Sequence, residues 1–98
     1  MVIAKAHLIS LRNEIPIDDI IIKVLNMEHR FREGHLRFLC PICMDLHTST
    51  QKNTNLARCF RCQKNFNPID MLMIVQGKSF QEAVSYLEML LPFYQSQS

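Results

Sequence analysis

The chain has 98 residues, of which 48% are hydrophobic and 20% are charged, and its formal net charge is +2. This composition excludes a disordered segment and fits one small globular domain. The sequence has no run of about 18 apolar residues and no signal-peptide pattern, so we expect a cytoplasmic protein with no membrane partner. In a reducing compartment, paired cysteines favour a metal over disulfides.

The segment before the first cysteine is predicted to contain an arm followed by one helix. Residues 1–14 show weak apolar character without a clear period, which fits either an extended or a short helical arm. Pro16 suits the first turn of a helix, and an apolar stripe at helical spacing follows it. We therefore predict a helix over residues 16–27. The stripe consists of Ile17, Ile20, Ile21, Val24 and Leu25.

Two strands are predicted to lead into the two cysteine pairs. Residues 35–39 alternate between polar and apolar side chains, and residues 55–59 form a second strand. The polar stretch between residues 45 and 55 could hold a further short strand. A zinc ribbon typically contains two adjacent antiparallel strands, each of which leads into a metal-binding turn.

The C-terminal third carries clear helix boundary signals. Asn67 is predicted to cap a helix that begins at Pro68, with Asp70 completing the cap and Gly77 ending the helix. Ser79 and Glu82 form a second capping box, and a second apolar helix follows. Pro92 is predicted to stop this helix, which would leave residues 93–98 as a flexible tail.

The cysteines form two CxxC pairs that fifteen residues separate. Each CxxC turn points two sulfurs at one centre, so the two pairs can close a tetrahedral zinc site. Disulfides or a redox dithiol are weaker alternatives, and His47 is a rival ligand that is better interpreted as an exposed loop histidine. With all four positions filled, the zinc is structural and no catalytic residue is expected. The predicted ligands are Cys40, Cys43, Cys59 and Cys62.

Positive charge is concentrated around the cysteines, because seven cations and only two acids fall between His29 and Lys64. Cations that surround an aromatic ring suit single-stranded nucleic acid, whose phosphates meet the charges while a base stacks on the ring. The alternative is a solvated charged face, with Phe60 packed beneath its knuckle, and packing is the favoured interpretation for that ring. The candidate nucleic-acid-binding residues are Arg37, Arg58, Phe60, Arg61 and Lys64.

The order of these motifs resembles the N-terminal zinc-binding domain of bacterial and phage DNA primases. The resemblance covers roughly residues 15–91, and its specificity comes from CxxC followed by an Ile-Asp helix and a Gly-x-Ser-Phe-x-Glu-Ala-Val helix start. The matching residues are the helix of residues 17–25, Leu39, Cys40, Pro41, Cys43, Cys59, Phe60, Cys62, Asn67, Ile69, Asp70, Leu72, Met73, Gly77, Ser79, Phe80, Glu82, Ala83, Val84 and Leu87.

The chain also departs from that family at three places. The family usually has a histidine as its second ligand, where this chain has Cys43. It tends to have Pro-Ser-Phe where this chain has Thr48, Ser49 and Thr50, which weakens one expected strand. Glycines that are usual around the second knuckle are replaced here by bulkier and more basic residues.

The resemblance implies an α+β fold, with a small zinc-ribbon β-sheet flanked by an N-terminal helix and two C-terminal helices. Its implied boundaries are an arm over 1–14, a zinc-binding domain over 15–92 and a tail over 93–98. It implies a template-binding module for single-stranded DNA with one structural Zn²⁺, acting in primer synthesis beside a separate catalytic domain. A primase catalytic domain or a replication helicase would be further partners. The alternative is a stand-alone zinc ribbon that binds proteins or regulates transcription on a mobile element.

Overall fold

The structure, a computed structural model, describes residues 4–95. Its strands are β1 (His29–Arg32), β2 (His35–Phe38), β3 (Thr48–Gln51), β4 (Leu56–Cys59) and β5 (Lys64–Phe66). Its helices are α1 (Lys5–Asn13), α2 (Ile17–Asp19), α3 (Pro68–Gln76) and α4 (Phe80–Gln95), with a π-helical turn (Ile20–Val24) directly after α2. The predicted α+β class is confirmed.

The five strands form one antiparallel sheet in the order β1-β2-β3-β4-β5. The polar segment between the knuckles does form a strand, since β3 pairs with both β2 and β4. The expectation that the two knuckle-bearing strands are adjacent is therefore wrong. Thr48 and Thr50 of β3 are fully buried, and this strand joins the two halves of the ribbon.

Within the predicted arm over 1–14, residues 5–13 fold as the helix α1, which agrees with the helical alternative, and residues 1–3 lie outside the described residues. Leu11 and Ile15 from this region are fully buried in the common core. The predicted helix over 16–27 is present as α2 and the π-helical turn, where the Leu25 N–H donates to the Ile20 carbonyl over 2.8 Å. Asn26 follows with φ of 50°, a left-handed conformation that ends the helix.

Asn55, in the turn before β4, links this N-terminal region to the sheet. Its side-chain oxygen accepts from the Ile17 N–H over 2.8 Å, and its amide nitrogen donates to the carbonyls of Ile15 and Arg12. The side chain is nearly buried and its backbone has φ of 54°. One asparagine thus satisfies three backbone groups of the link between α1 and α2.

The predicted cap of α3 is confirmed in both directions. Asn67 Oδ1 accepts from the Asp70 N–H over 2.9 Å, and Asp70 Oδ2 accepts from the Asn67 N–H over 3.1 Å. Gly77 ends α3 with φ of 66°. The second box is also present, between Ser79 and Glu82.

The prediction that Pro92 stops α4 is wrong, because the helix continues to Gln95. Proline removes only one helical hydrogen bond at this point, close to the helix end. Leu91 is buried just before the last turn, and within that turn the Tyr94 hydroxyl donates to Asp19 Oδ2 over 2.8 Å and the Gln95 amide donates to Glu14 Oε1 over 3.3 Å. Of the predicted tail, residues 93–95 belong to α4 and residues 96–98 lie outside the described residues.

Candidate metal centre and basic sheet face

The two CxxC turns follow β2 and β4: Cys40 comes two residues after the end of β2, and Cys59 is the last residue of β4. Cys40 and Cys59 are fully buried, while Cys43 and Cys62 are half-buried. The Cys43 N–H points at Cys40 Sγ over 3.5 Å, and the Cys62 N–H points at Cys59 Sγ over 3.5 Å. The two turns therefore share one local geometry, in which backbone amides support the first sulfur of each pair.

A left-handed residue follows each turn. Met44 and Gln63, directly after the second cysteine of their pairs, have φ of 61° and 56°. Glycine takes this conformation freely, whereas other residues incur about 1–2 kcal/mol. Gln63 is one of the residues that stand where the resemblance implies glycines around the second knuckle, yet its backbone keeps a conformation that glycine would favour.

The four sulfur atoms form one compact cluster. All four Sγ atoms lie within 4.8 Å of one another, with Cys43 and Cys59 at 3.4 Å and Cys40 and Cys62 at 3.7 Å. A tetrahedral zinc with Zn–S bonds of about 2.3 Å requires sulfurs about 3.8 Å apart. All four thiols are free, so the arrangement fits one structural Zn²⁺ and not two disulfides. Four thiolate ligands leave no position for a reactive water.

Without a cation, the thiols differ in how readily they hold a negative charge. Burial acts to raise the pKa of Cys59, but the Cys62 N–H, the Thr48 hydroxyl and the neighbouring thiols outweigh it and lower that pKa to about 6. Burial and the adjacent sulfurs raise the pKa of Cys62 to about 12, and burial is the main cause of the raised pKa of Cys43. A negative charge on one sulfur therefore disfavours ionisation of the neighbouring thiols, and a bound divalent cation offsets this repulsion.

His47 does not belong to the sulfur cluster, as the sequence interpretation favoured. Its side chain is 71% exposed and its ring contacts the Asp45 carboxylate. The His47 N–H also donates to Asp45 over 2.9 Å, and this bond is the main cause of the lowered pKa of Asp45. Among residues 4–95, no other group of three or more potential ligands comes together as the cysteines do.

One face of the sheet carries a row of polar and basic side chains at directly opposed positions. Arg30 pairs with Arg37, Arg37 with Ser49, Ser49 with Arg58, and Arg58 with Asn65. Opposed residues of an antiparallel sheet point to the same side, so this row crosses all five strands on one face. We call this surface the arginine face. The flanking positions Phe38, Thr48, Ala57 and Cys59 point to the other side and are buried.

The arginine face lacks counter-charges among the described residues. Within residues 4–95, Arg30, Arg37 and Arg58 take part in no ion pair, and Arg58 instead donates to Asn65 Oδ1 over 3.2 Å. The sequence interpretation singled out Arg37 and Arg58 but missed Arg30 and Arg32, because β1 was not predicted. The alternation of basic and aromatic residues in β1 was the signal that could have found them.

Three other residues that were predicted to contact nucleic acid lie outside the row of opposed residues that defines the arginine face. Phe60 is 57% exposed, and the Arg58 guanidinium carbon lies 5.9 Å from its ring centroid, so the packed interpretation of this ring is wrong. Arg61 is exposed but paired with Asp45 at 3.2 Å. Lys64 is opposed to Cys59 and therefore belongs to the opposite side of the sheet from Arg58.

A five-stranded antiparallel sheet with four thiols gathered from two knuckles defines a zinc-ribbon protein. The family model of the CHC2 zinc finger, the DnaG primase-type zinc ribbon, matches residues 3–96. The chain belongs to this family, and it is a zinc-binding module of the primase type. No curated protein matches the sequence. Within residues 4–95, no helix is long and apolar enough to cross a membrane.

Proposed function

We propose that the chain binds single-stranded DNA through its arginine face and recognises template for primer synthesis. Chemistry would reside in a separate catalytic domain, since the zinc site that the cysteines form has no open position. The observation that carries this proposal is the row of Arg30, Arg37 and Arg58, which share one face without acidic partners among the described residues. Family membership supports it, because the finger is of the primase type.

The geometry of the row fits a strand that crosses the sheet. Neighbouring β-strands lie about 4.8 Å apart, so the backbone positions of Arg30 and Arg58 are separated by about 14 Å across three strand intervals. A nucleic-acid backbone running across the β-strands would meet these guanidinium groups in succession. Phe60 offers a base-stacking surface beside Arg58, and base stacking on an aromatic ring contributes about 1–3 kcal/mol.

The test is a titration with single-stranded oligonucleotides at 50 and 200 mM salt. Three phosphate contacts give a slope of about −2 in log K against log salt, which corresponds to a loss of about 20-fold in affinity over this range. Arg37→Gln or Arg58→Gln should weaken binding and make the slope shallower by about 0.7 each. Arg12→Gln, which changes an exposed arginine of α1, is the matched control and should leave both quantities unchanged.

The predicted contacts Arg61 and Lys64 are expected to contribute less than Arg58. Asp45 already neutralises Arg61, and Lys64 belongs to the opposite side of the sheet. Arg61→Gln and Lys64→Gln should therefore change the affinity by less than Arg58→Gln. Equal effects of all three substitutions would contradict an interface on the arginine face and would favour a patch around the second knuckle.

A protein-binding role is the second candidate, and one observation favours it. Met89 and Phe93 lie one helical turn apart on α4 and are 70% and 69% exposed. An apolar pair of this kind suits contact with a protein such as a primase catalytic domain or a helicase. Such binding would depend little on salt and would be weakened by Phe93→Ser, whereas Arg58→Gln would leave it intact.

A further inference from the structure

A groove lies at the β1–β2 side of the arginine face, next to the first knuckle. Its volume is about 450 Å³, within the range of small-molecule sites. Three arginines line it, namely Arg30, Arg32 and Arg37, and Leu46 and His47 line it from the segment that follows the first knuckle. Arg58 and Phe60 are not among the lining residues.

The charges of the groove are concentrated and largely uncompensated. Its three guanidinium groups take part in no ion pair within the described part of the chain, and Glu28 is the one carboxylate among the lining residues. The Nε atom of Arg37 is buried without a hydrogen-bond partner among residues 4–95. A buried donor of this kind favours a ligand that brings an anionic oxygen.

The remaining walls are suited to the uncharged part of a ligand. Leu39 and Leu46 give apolar surface, and Leu46 is 67% exposed. His29 uses Nδ1 to donate to the Met27 carbonyl over 2.9 Å, which leaves its Nε2 for another contact. A ligand with a dense anionic group at one end and a flat apolar group at the other matches this combination.

We propose that the groove binds the triphosphate group of a nucleotide, with the base against Leu39 and Leu46. Three arginines within one small groove match a compact polyphosphate, whose charges are closer together than the phosphates of a single strand. The same chemistry is presented by a free nucleoside triphosphate and by the 5′-triphosphate end of an RNA. The groove shares Arg30 and Arg37 with the row proposed to bind single-stranded DNA, whereas Arg32 belongs to the groove alone and Arg58 and Phe60 lie outside it, so substitutions at Arg32 and Arg58 separate the two proposals.

Calorimetric titration of the zinc-loaded chain with ATP, inorganic tripolyphosphate and adenosine tests the proposal. We expect ATP and tripolyphosphate to bind and adenosine not to bind at the same concentrations. Arg30→Gln and Arg32→Gln should each weaken ATP binding about tenfold, as expected for the loss of one charge-assisted contact. Arg12→Gln and Arg58→Gln should change it by less than about twofold, while Arg58→Gln still weakens binding of a single strand. Zinc content and melting temperature establish that each variant is folded.

A second arm distinguishes the source of the triphosphate. The same oligoribonucleotide is compared with a 5′-triphosphate and with a 5′-hydroxyl, in the parent chain and in Arg32→Gln. If the parent chain prefers the triphosphorylated strand and Arg32→Gln removes this preference, the ligand of the groove is a strand end. If ATP binds but no such preference is seen, the ligand is a free nucleotide. Absence of ATP binding at millimolar concentration, or equal losses in Arg32→Gln and Arg12→Gln, overturns the proposal without affecting the single-strand titration.

Discussion

Replacement of Asn55 by alanine should destabilise the domain far more than a change in a surface turn normally does. The substitution removes the acceptor for the Ile17 N–H and the donors to the Ile15 and Arg12 carbonyls. Each lost hydrogen bond costs about 1 kcal/mol, and alanine at φ of 54° adds about 1 kcal/mol relative to asparagine. The expected loss in the free energy of unfolding is therefore about 3–5 kcal/mol.

Chemical and thermal unfolding of the zinc-saturated protein, followed by circular dichroism, measures this loss. For a domain of this size, 3 kcal/mol corresponds to a decrease in melting temperature of at least about 12 °C. Asn55→Gly is the matched variant, because it removes the same hydrogen bonds but accepts the left-handed backbone, and it should be about 1 kcal/mol less damaging than alanine. A loss below about 1 kcal/mol for Asn55→Ala would refute the reasoning that this side chain holds α1 and α2 to the sheet.

Three further predictions concern the metal site and α4. Cys43→His should still bind one zinc per chain by metal analysis, because imidazole is also a zinc ligand. Cys43→Ala should bind zinc far more weakly. Equal zinc retention by the two variants would contradict a role for this position in coordination. Burial and the hydrogen bond to Asp19 raise the pKa of Tyr94 to about 12, so the stability that this pair contributes is complete below pH 10 and is lost as the pH rises through about 12. Tyrosinate absorbance should show a step near pH 12 that Tyr94→Phe removes, and persistence of that step would assign it elsewhere. Pro92→Ala should raise the free energy of unfolding by up to about 3 kcal/mol, since it restores a helical N–H, and a destabilised variant would show that the proline is required in α4.

The parts of the structure with strong local chemistry were predictable from the sequence. A CxxC turn restricts its two sulfurs regardless of the rest of the chain, and the spacing of the two pairs predicted the cluster of four. The caps at Asn67 and Ser79 were equally accessible, because each depends on residues only three positions apart. The family resemblance then extended these local features to the order of the whole fold.

The parts that depend on long-range pairing were not predictable in the same way. β1 is an edge strand in which three of four residues are exposed, so its apolar signal is weak. β5 has only three residues, and the place of β3 between β2 and β4 is decided by register. The role of Asn55 was also hidden, because its partners lie 38 to 43 positions earlier in the chain.

Phe60 illustrates a different limit of sequence reasoning. An aromatic residue inside a CxxC turn can lie beneath the knuckle or point outward, and composition does not separate these outcomes. In this chain, the Cys62 N–H contacts Cys59 Sγ within the second knuckle, and the aromatic ring takes no part in that turn's hydrogen bonding. The ring lies at the surface beside Arg58.

The cysteine at position 43 changes the electrostatic character of one end of the molecule. Zinc held by four thiolates carries a formal charge of −2, whereas three thiolates and a neutral imidazole leave −1. The electrostatic potential around the metal centre is therefore more negative than in a finger with the histidine, while the arginine face remains positive. A polyanion approaching this chain would be drawn to the arginines of the sheet and away from the zinc–sulfur centre itself, so the exchange of a single ligand helps orient the domain before any contact forms.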